Sequence, residues 1–177
     1  IASGGNYNVV VGDEAGTDIT TGDENVGVGF GALYKLTTGQ YNTAIGSGAL
    51  DAATTPSYNT AVGFAAGGAV TTGIQNTLIG ALAGDALTDA DYNVALGIGA
   101  LTTDTLGSKS TALGSYALSN QNFTSATDAH NTAVGNNAGG AVTTGVQNTL
   151  IGSLAGDALT DADYNVALGY SSLTTNQ

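Results

Sequence analysis

The chain has 177 residues, 28 of them glycine, with one proline and no cysteine, methionine or tryptophan; 2 basic and 14 acidic residues leave a net charge of −12. Collagen is excluded, because it needs glycine at every third position and abundant proline, and a 42% hydrophobic chain of positive mean hydropathy is too apolar for a disordered coil. No apolar run approaches the roughly 18 residues of a membrane span, and Lys35 and Lys109, the only basic side chains, make no patch for nucleic-acid phosphates.

No signal peptide is visible, so the chain reads as a mature fragment or an excised module. The absence of cysteine fits an extracellular particle built without disulfides and is equally compatible with a cytosolic one.

Taken in order, the chain is a repeat. The pattern Asn-(Thr/Val)-x-(Ile/Leu/Val)-Gly starts at Asn8, Asn25, Asn42, Asn59, Asn76 and Asn93 with a constant step of seventeen (25 − 8 = 17), and again at Ser110. The next start, Asn131, follows a longer step of twenty-one (131 − 110 = 21), and Asn148 and Asn165 return to the regular step. Within each unit the fourth position is branched aliphatic, from Val11 to Leu168, and the fifth is glycine, from Gly12 to Gly169. The eighth is alanine from Ala15 to Ala155, with Ser172 last, and a threonine column runs from Thr20 to Thr160, broken at Asn122.

These units are too rich in Gly, Thr and Asn for helices. Short β-branched runs between Gly, Asn and Thr-Thr-Gly turns predict strands, two of about five residues in each unit. One unit then forms one coil of a parallel β-roll or β-helix, and identical side chains stack on themselves. At about 4.8 Å per coil, the whole chain, 1–177, is a single all-β solenoid domain roughly 45 Å long, with an irregular, longer coil at 110–130. Alanine and glycine columns predict a thin interior, which buries little apolar area and favours several rolls sharing one core.

The strings NTAIGSGAL (Asn42 to Leu50), NTAVGFAAG (Asn59 to Gly67) and NVALGIGAL (Asn93 to Leu101) resemble the head repeats of YadA-like trimeric autotransporter adhesins, which are related to repeats in phage tail fibres. The resemblance spans Asn8 to Leu173, although the adhesin head repeat is typically shorter than the period found here. It implies a left-handed parallel β-roll and a homotrimer around a threefold axis. It also implies an extracellular role, on a virion fibre or a bacterial surface, in attachment to a cell-surface glycan or protein receptor.

A second layer of repetition bears on function. Asn131 to Gly169 matches Asn59 to Gly97 at 35 of 39 positions (39 − 4 = 35), differing at Phe64/Asn136, Ala65/Asn137, Ile74/Val146 and Ala81/Ser153. A duplicated block suits a length-adjustable shaft or a repeated binding surface better than a unique catalytic constellation. The inventory also argues against an enzyme: there is no cysteine, and His130 is the only histidine, so no Cys–His pair exists and any serine triad would need that one residue.

Three features are candidate sites. The segment GDALTDADYN occurs twice and groups Asp85, Asp89 and Asp91, and again Asp157, Asp161 and Asp163; these are either a calcium site or solvated turn carboxylates. Tyr41, Tyr58, Tyr92 and Tyr164, with Tyr7, form an edge column that either stacks on sugars or partners, or covers the core at a turn or an interchain seam. The insertion, with Asn122, Phe123, Thr124 and Asp128, should bulge from the rod as a receptor-binding loop, or is a scar at the joint of the duplicated block. A different functional class remains open: threonine ladders such as Thr43, Thr60 and Thr77 on a flat solenoid face suit an ice-binding surface, although Val9, Val26, Val94 and Val166 interrupt them.

Overall fold

A computed structural model describes residues 4–174. It is an all-β parallel solenoid of about nine turns, and its coils follow the period of the sequence repeat. The strands, in chain order, are β1 (Val9–Val11), β2 (Val26–Val28), β3 (Thr43–Ile45), β4 (Thr60–Val62), β5 (Thr77–Ile79), β6 (Val94–Leu96), β7 (Gly107–Ser108), β8 (Thr111–Leu113), β9 (Thr127–Asp128), β10 (Thr132–Val134), β11 (Thr149–Ile151) and β12 (Val166–Leu168). Ten of these form one parallel sheet in the order β1-β2-β3-β4-β5-β6-β8-β10-β11-β12, and β7 pairs with β9 in a second, two-stranded sheet. The register is that of the repeat: Ile45 lies between Val28 and Val62.

Outside the two coils that carry β7 and β9, each coil has a single short strand where the period suggested two of about five residues. The cause is the backbone of the other side. In every complete coil the seventh, ninth and last positions are left-handed, as at Gly48 (φ 67°), Leu50 (φ 49°) and Tyr58 (φ 63°), and a pleated strand cannot run through such residues. This side is a chain of turns, tied to the next coil by amides such as Gly16 N–H to Ala32 O (2.9 Å), Leu33 N–H to Ala49 O (3.1 Å) and Thr37 N–H to Thr54 O (2.8 Å). The threonine column adds a hydroxyl bond from coil to coil, Thr37 Oγ1 to Thr54 O at 2.9 Å for example.

The fifth-position glycines sit where the strand ends. Gly63 has φ +139°, and a Cβ there would lie 2.5 Å from the Gly80 carbonyl oxygen of the next coil, so neither the dihedral nor the space admits a side chain.

Strand alternation turns the third position inward and the second and fourth outward. Ala44, Ala61, Leu78, Ala95, Ala112, Ala133 and Leu150 are buried with the eighth-position alanines, whereas the aliphatic column faces out, with Ile45 41% exposed. The interior is narrow and leucine fills it from changing positions. Where the third position is Gly27, Ala44, Ala95 or Ala112, the ninth is a buried Leu33, Leu50, Leu101 or Leu118. Where the third is Leu78 or Leu150, the ninth is Gly84 or Gly156, at which a Cβ would meet that leucine at 2.7 Å and 2.8 Å respectively.

The first-position asparagines form a buried ladder. Asn42 Nδ2 donates to Asn25 Oδ1 (3.0 Å) and to Pro56 O (2.8 Å), and Asn42 N–H donates to Asn25 Oδ1 (2.9 Å). Ser110 breaks the ladder, and Gln121 repairs it from the irregular coil. Its Nε2 donates to Ser110 Oγ (3.0 Å) and to buried Asp104 Oδ2 (2.6 Å), and its Oε1 accepts from Asn131 Nδ2 (2.8 Å). No buried side-chain polar atom among the described residues is left without a partner.

Candidate functional site

The surface is sorted by charge. In the nine coils from Asn25 onward, the first nine positions carry no Asp, Glu, Lys or Arg; every charged residue of those coils lies later in its unit. The outward strand face is therefore an uncharged strip of two columns. One is Thr and Val from Val26 to Val166, and the other is Val, Ile and Leu from Val28 to Leu168. Both columns are half-buried to exposed along the sheet. The first column is mostly threonine, so the continuous apolar part is the Val, Ile and Leu column, and apolar surface running the length of a rod is unusual on a monomeric protein.

The tyrosine column borders the strip. Each tyrosine occupies the last position of its coil, where the left-handed backbone (φ 57° at Tyr7, 63° at Tyr58) directs the ring outward, and Tyr41, Tyr58, Tyr92 and Tyr164 are all exposed. They do not cover their own chain's core. Tyr41 and Tyr58, on adjacent coils, stack with ring centroids 4.9 Å apart and planes 11° apart. The nearby Glu24 carboxylate, with smaller contributions from desolvation, Tyr58 and Asp23, pushes the Tyr41 phenol above its ordinary pKa.

The insertion protrudes less than expected. Phe123 is only 6% exposed: it turns inward, and a Cβ at Gly107 would approach its ring to 2.7 Å, so that glycine makes its room. Its N–H donates to Asp104 Oδ1 (3.0 Å) and its carbonyl accepts from Leu106 N–H (3.1 Å). Phe123 therefore supplies no surface contact for a receptor. Asn122 keeps the threonine column's place, its N–H donating to Thr143 O (2.9 Å) and its Oδ1 accepting from Thr105 Oγ1 (3.2 Å). Exposed residues are Thr124, Ser125 and Ala126, then Asp128 and His130. Asp128 pairs with Lys109 (2.5 Å), whose hydrogen bond lowers the Asp128 pKa below the usual aspartate value.

The repeated acidic segments do not converge. Asp85 accepts from Thr102 Oγ1 (2.5 Å), Asp89 from Thr72 Oγ1 (2.6 Å), Asp91 from Ile74 N–H (2.7 Å) and Asp163 from Val146 N–H (2.7 Å), so four of the six carboxylates cap donors on adjacent coils. Asp161 accepts from Thr160 Oγ1 (3.2 Å), and Asp157 is half-buried. Among the described residues, no three Asp, Glu, His or Cys side chains gather around a common metal position.

The structure also places a cleft of about 440 Å³ beside the strip, bounded by Phe30 and Phe64. Neither phenylalanine stands out in the linear sequence. The signal available there was that two of the four differences within the duplicated block fall at adjacent cleft residues, Phe64 and Ala65. In comparisons with protein families, curated proteins and solved structures, the chain matches none.

Proposed function

We propose that this chain is a non-enzymatic shaft segment of a homotrimeric surface fibre, a phage tail fibre or a bacterial adhesin head, that attaches to a host or cell surface. The observation that carries this reading is the uncharged strip on the strand face. Its occupant is two further copies of the same chain, wound left-handed about a threefold axis. Nine rungs about 4.8 Å apart and three residues of about 3.3 Å each make the strip roughly 40 Å by 10 Å, about 400 Å² per chain. That is about half of what one partner buries in a standard interface, and the uncharged turn positions that follow each strand extend it. Three chains carry 3 × −12 = −36, and this packing leaves nearly all of that charge on the outward turns, where water solvates it.

Attachment then follows from rigidity and number. Stacked coils hold the edge and turn surfaces at fixed spacing, and three weak sites on one shaft raise each other's effective concentration. Light scattering on the purified chain tests the reading: three times the chain mass of 17.2 kDa is expected, and a folded monomer refutes it. Ile45→Asp should dissociate the trimer without unfolding the coils.

One observation favours a second reading. The threonine ladder lies on the same outward face as the aliphatic ladder, at about 4.8 Å between rungs, a regular array suited to ordering water at an ice surface. The two readings use one face and exclude each other. Thermal hysteresis with a monomer supports ice binding, and a trimer without hysteresis supports the fibre.

A further inference from the structure

We infer that the cleft between Phe30 and Phe64 is a binding site for a neutral sugar ring of a glycan. This rests on the attachment reading above and names the ligand class for that attachment.

The two phenylalanines occupy the same column two coils apart, roughly 9–10 Å along the rod, and both are more than half exposed, at 56% and 62%. Between them the column drops to Ser47, and the floor is glycine. A Cβ at Gly31 would meet nothing within 4 Å, and one at Gly48 would meet only Ala65 Cα, at 3.9 Å. The cleft is therefore empty space walled by two aromatic side chains. Its 440 Å³ falls within the range of small-molecule sites.

The rim supplies polar groups of both signs: Glu14 and Asp51 carboxylates, and the Lys35 ammonium. None of these three side chains is in a hydrogen bond or ion pair with another described residue. Aromatic walls with nearby acceptors and a donor suit a pyranose, which has apolar C–H faces and a girdle of hydroxyls. An anionic ligand is opposed by two carboxylates against one ammonium and by a net charge of −12, a penalty that a neutral sugar does not meet. The charged rim also keeps the mouth of the cleft outside a packed strand face, since burying unpaired charge there is costly.

The internal duplication supplies a natural replacement for one wall. The second copy of the block keeps 35 of 39 positions, yet replaces Phe64 and Ala65 by Asn136 and Asn137. Asn137 has the left-handed backbone of Ala65, φ 54° against 51°, so the coil itself accepts the exchange; the coils before it differ as well, with Ile98 and Tyr116 where Phe30 and Gly48 stand.

That natural pair defines the experiment. The double variant Phe64→Asn/Ala65→Asn reproduces a coil already present in the chain and keeps its fold. Wild type and variant are compared by saturation-transfer difference NMR with the methyl pyranosides of glucose, galactose, mannose, fucose and N-acetylglucosamine, at about 10 mM to suit a millimolar Kd. Transfer from the wild type to at least one sugar is expected, with a loss of about tenfold or more in the variant. Silence from all five, or equal signals from both proteins, overturns the inference. Light scattering on the same samples separates the two claims. A trimer without sugar binding leaves the fibre reading standing alone, and a sugar-binding monomer leaves the cleft standing alone.

Discussion

The shifting leucine of the core makes a quantitative prediction. Leu78 is fully buried, and its methyls reach within 2.7 Å of where a Cβ would stand at Gly84 in its own coil and at Gly67 in the preceding one. Leu78→Ala removes that filling and should cost about 3 kcal/mol, within the range for buried leucine truncations. Gly84→Leu alone should cost about 3 kcal/mol as well, from overpacking against Leu78 and Leu87 and from placing leucine in a left-handed backbone. Added independently, the two would cost about 6 kcal/mol.

The double variant should cost only about 2–3 kcal/mol, because alanine at the third position with leucine at the ninth is the arrangement already used at Ala44/Leu50, Ala95/Leu101 and Ala112/Leu118. The residual cost is the void left beside Gly67. Urea unfolding of the four proteins at one fixed chain concentration measures the coupling, the fixed concentration being necessary because assembly contributes to apparent stability. A double variant as unstable as the sum of its parts would refute the account of the core.

Three further outcomes are expected. Gly63→Ala should cost about 4 kcal/mol, because strain at φ +139° and a backbone clash add, whereas Gly31→Ala, at φ +63° with open space around it, should cost about 1 kcal/mol; equal losses in thermal unfolding would count against the stacking geometry. Gln121→Ala leaves Asp104 and Ser110 short of a donor and Asn131 short of an acceptor in the interior, and should cost about 3 kcal/mol, with hydrogen exchange rising first at Gly107 and Phe123. Asp128 has a lowered pKa in the folded chain, so its stabilisation of the irregular coil is complete above the ordinary aspartate value and is lost as pH falls through the lowered one. Carboxyl NMR titration should show Asp128 protonating late, and Lys109→Gln should return it towards the ordinary value.

Much of the architecture is legible in the linear chain. The period, the columns and the pairing of Ile45 with Val28 and Val62 follow from self-similarity alone, since a parallel stack with a constant step can only set like over like. The asparagine ladder is readable for the same reason, as is its break at Ser110. Its repair is not. Gln121 fills a gap created earlier in the chain, and nothing local marks it for that task.

The order of residues thus suffices for the repeat, its register and the exclusion of helices, because these depend on composition and spacing. Folding alone reveals which side of each strand faces inward, how many strands a coil contains, and that Phe123 turns in while Phe30 and Phe64 stay out. Those outcomes turn on the few ångströms between coil walls. A space that narrow admits alanine at most third positions and leucine there only where glycine faces it, and it forces tyrosine and leucine into left-handed backbone that their own propensities disfavour.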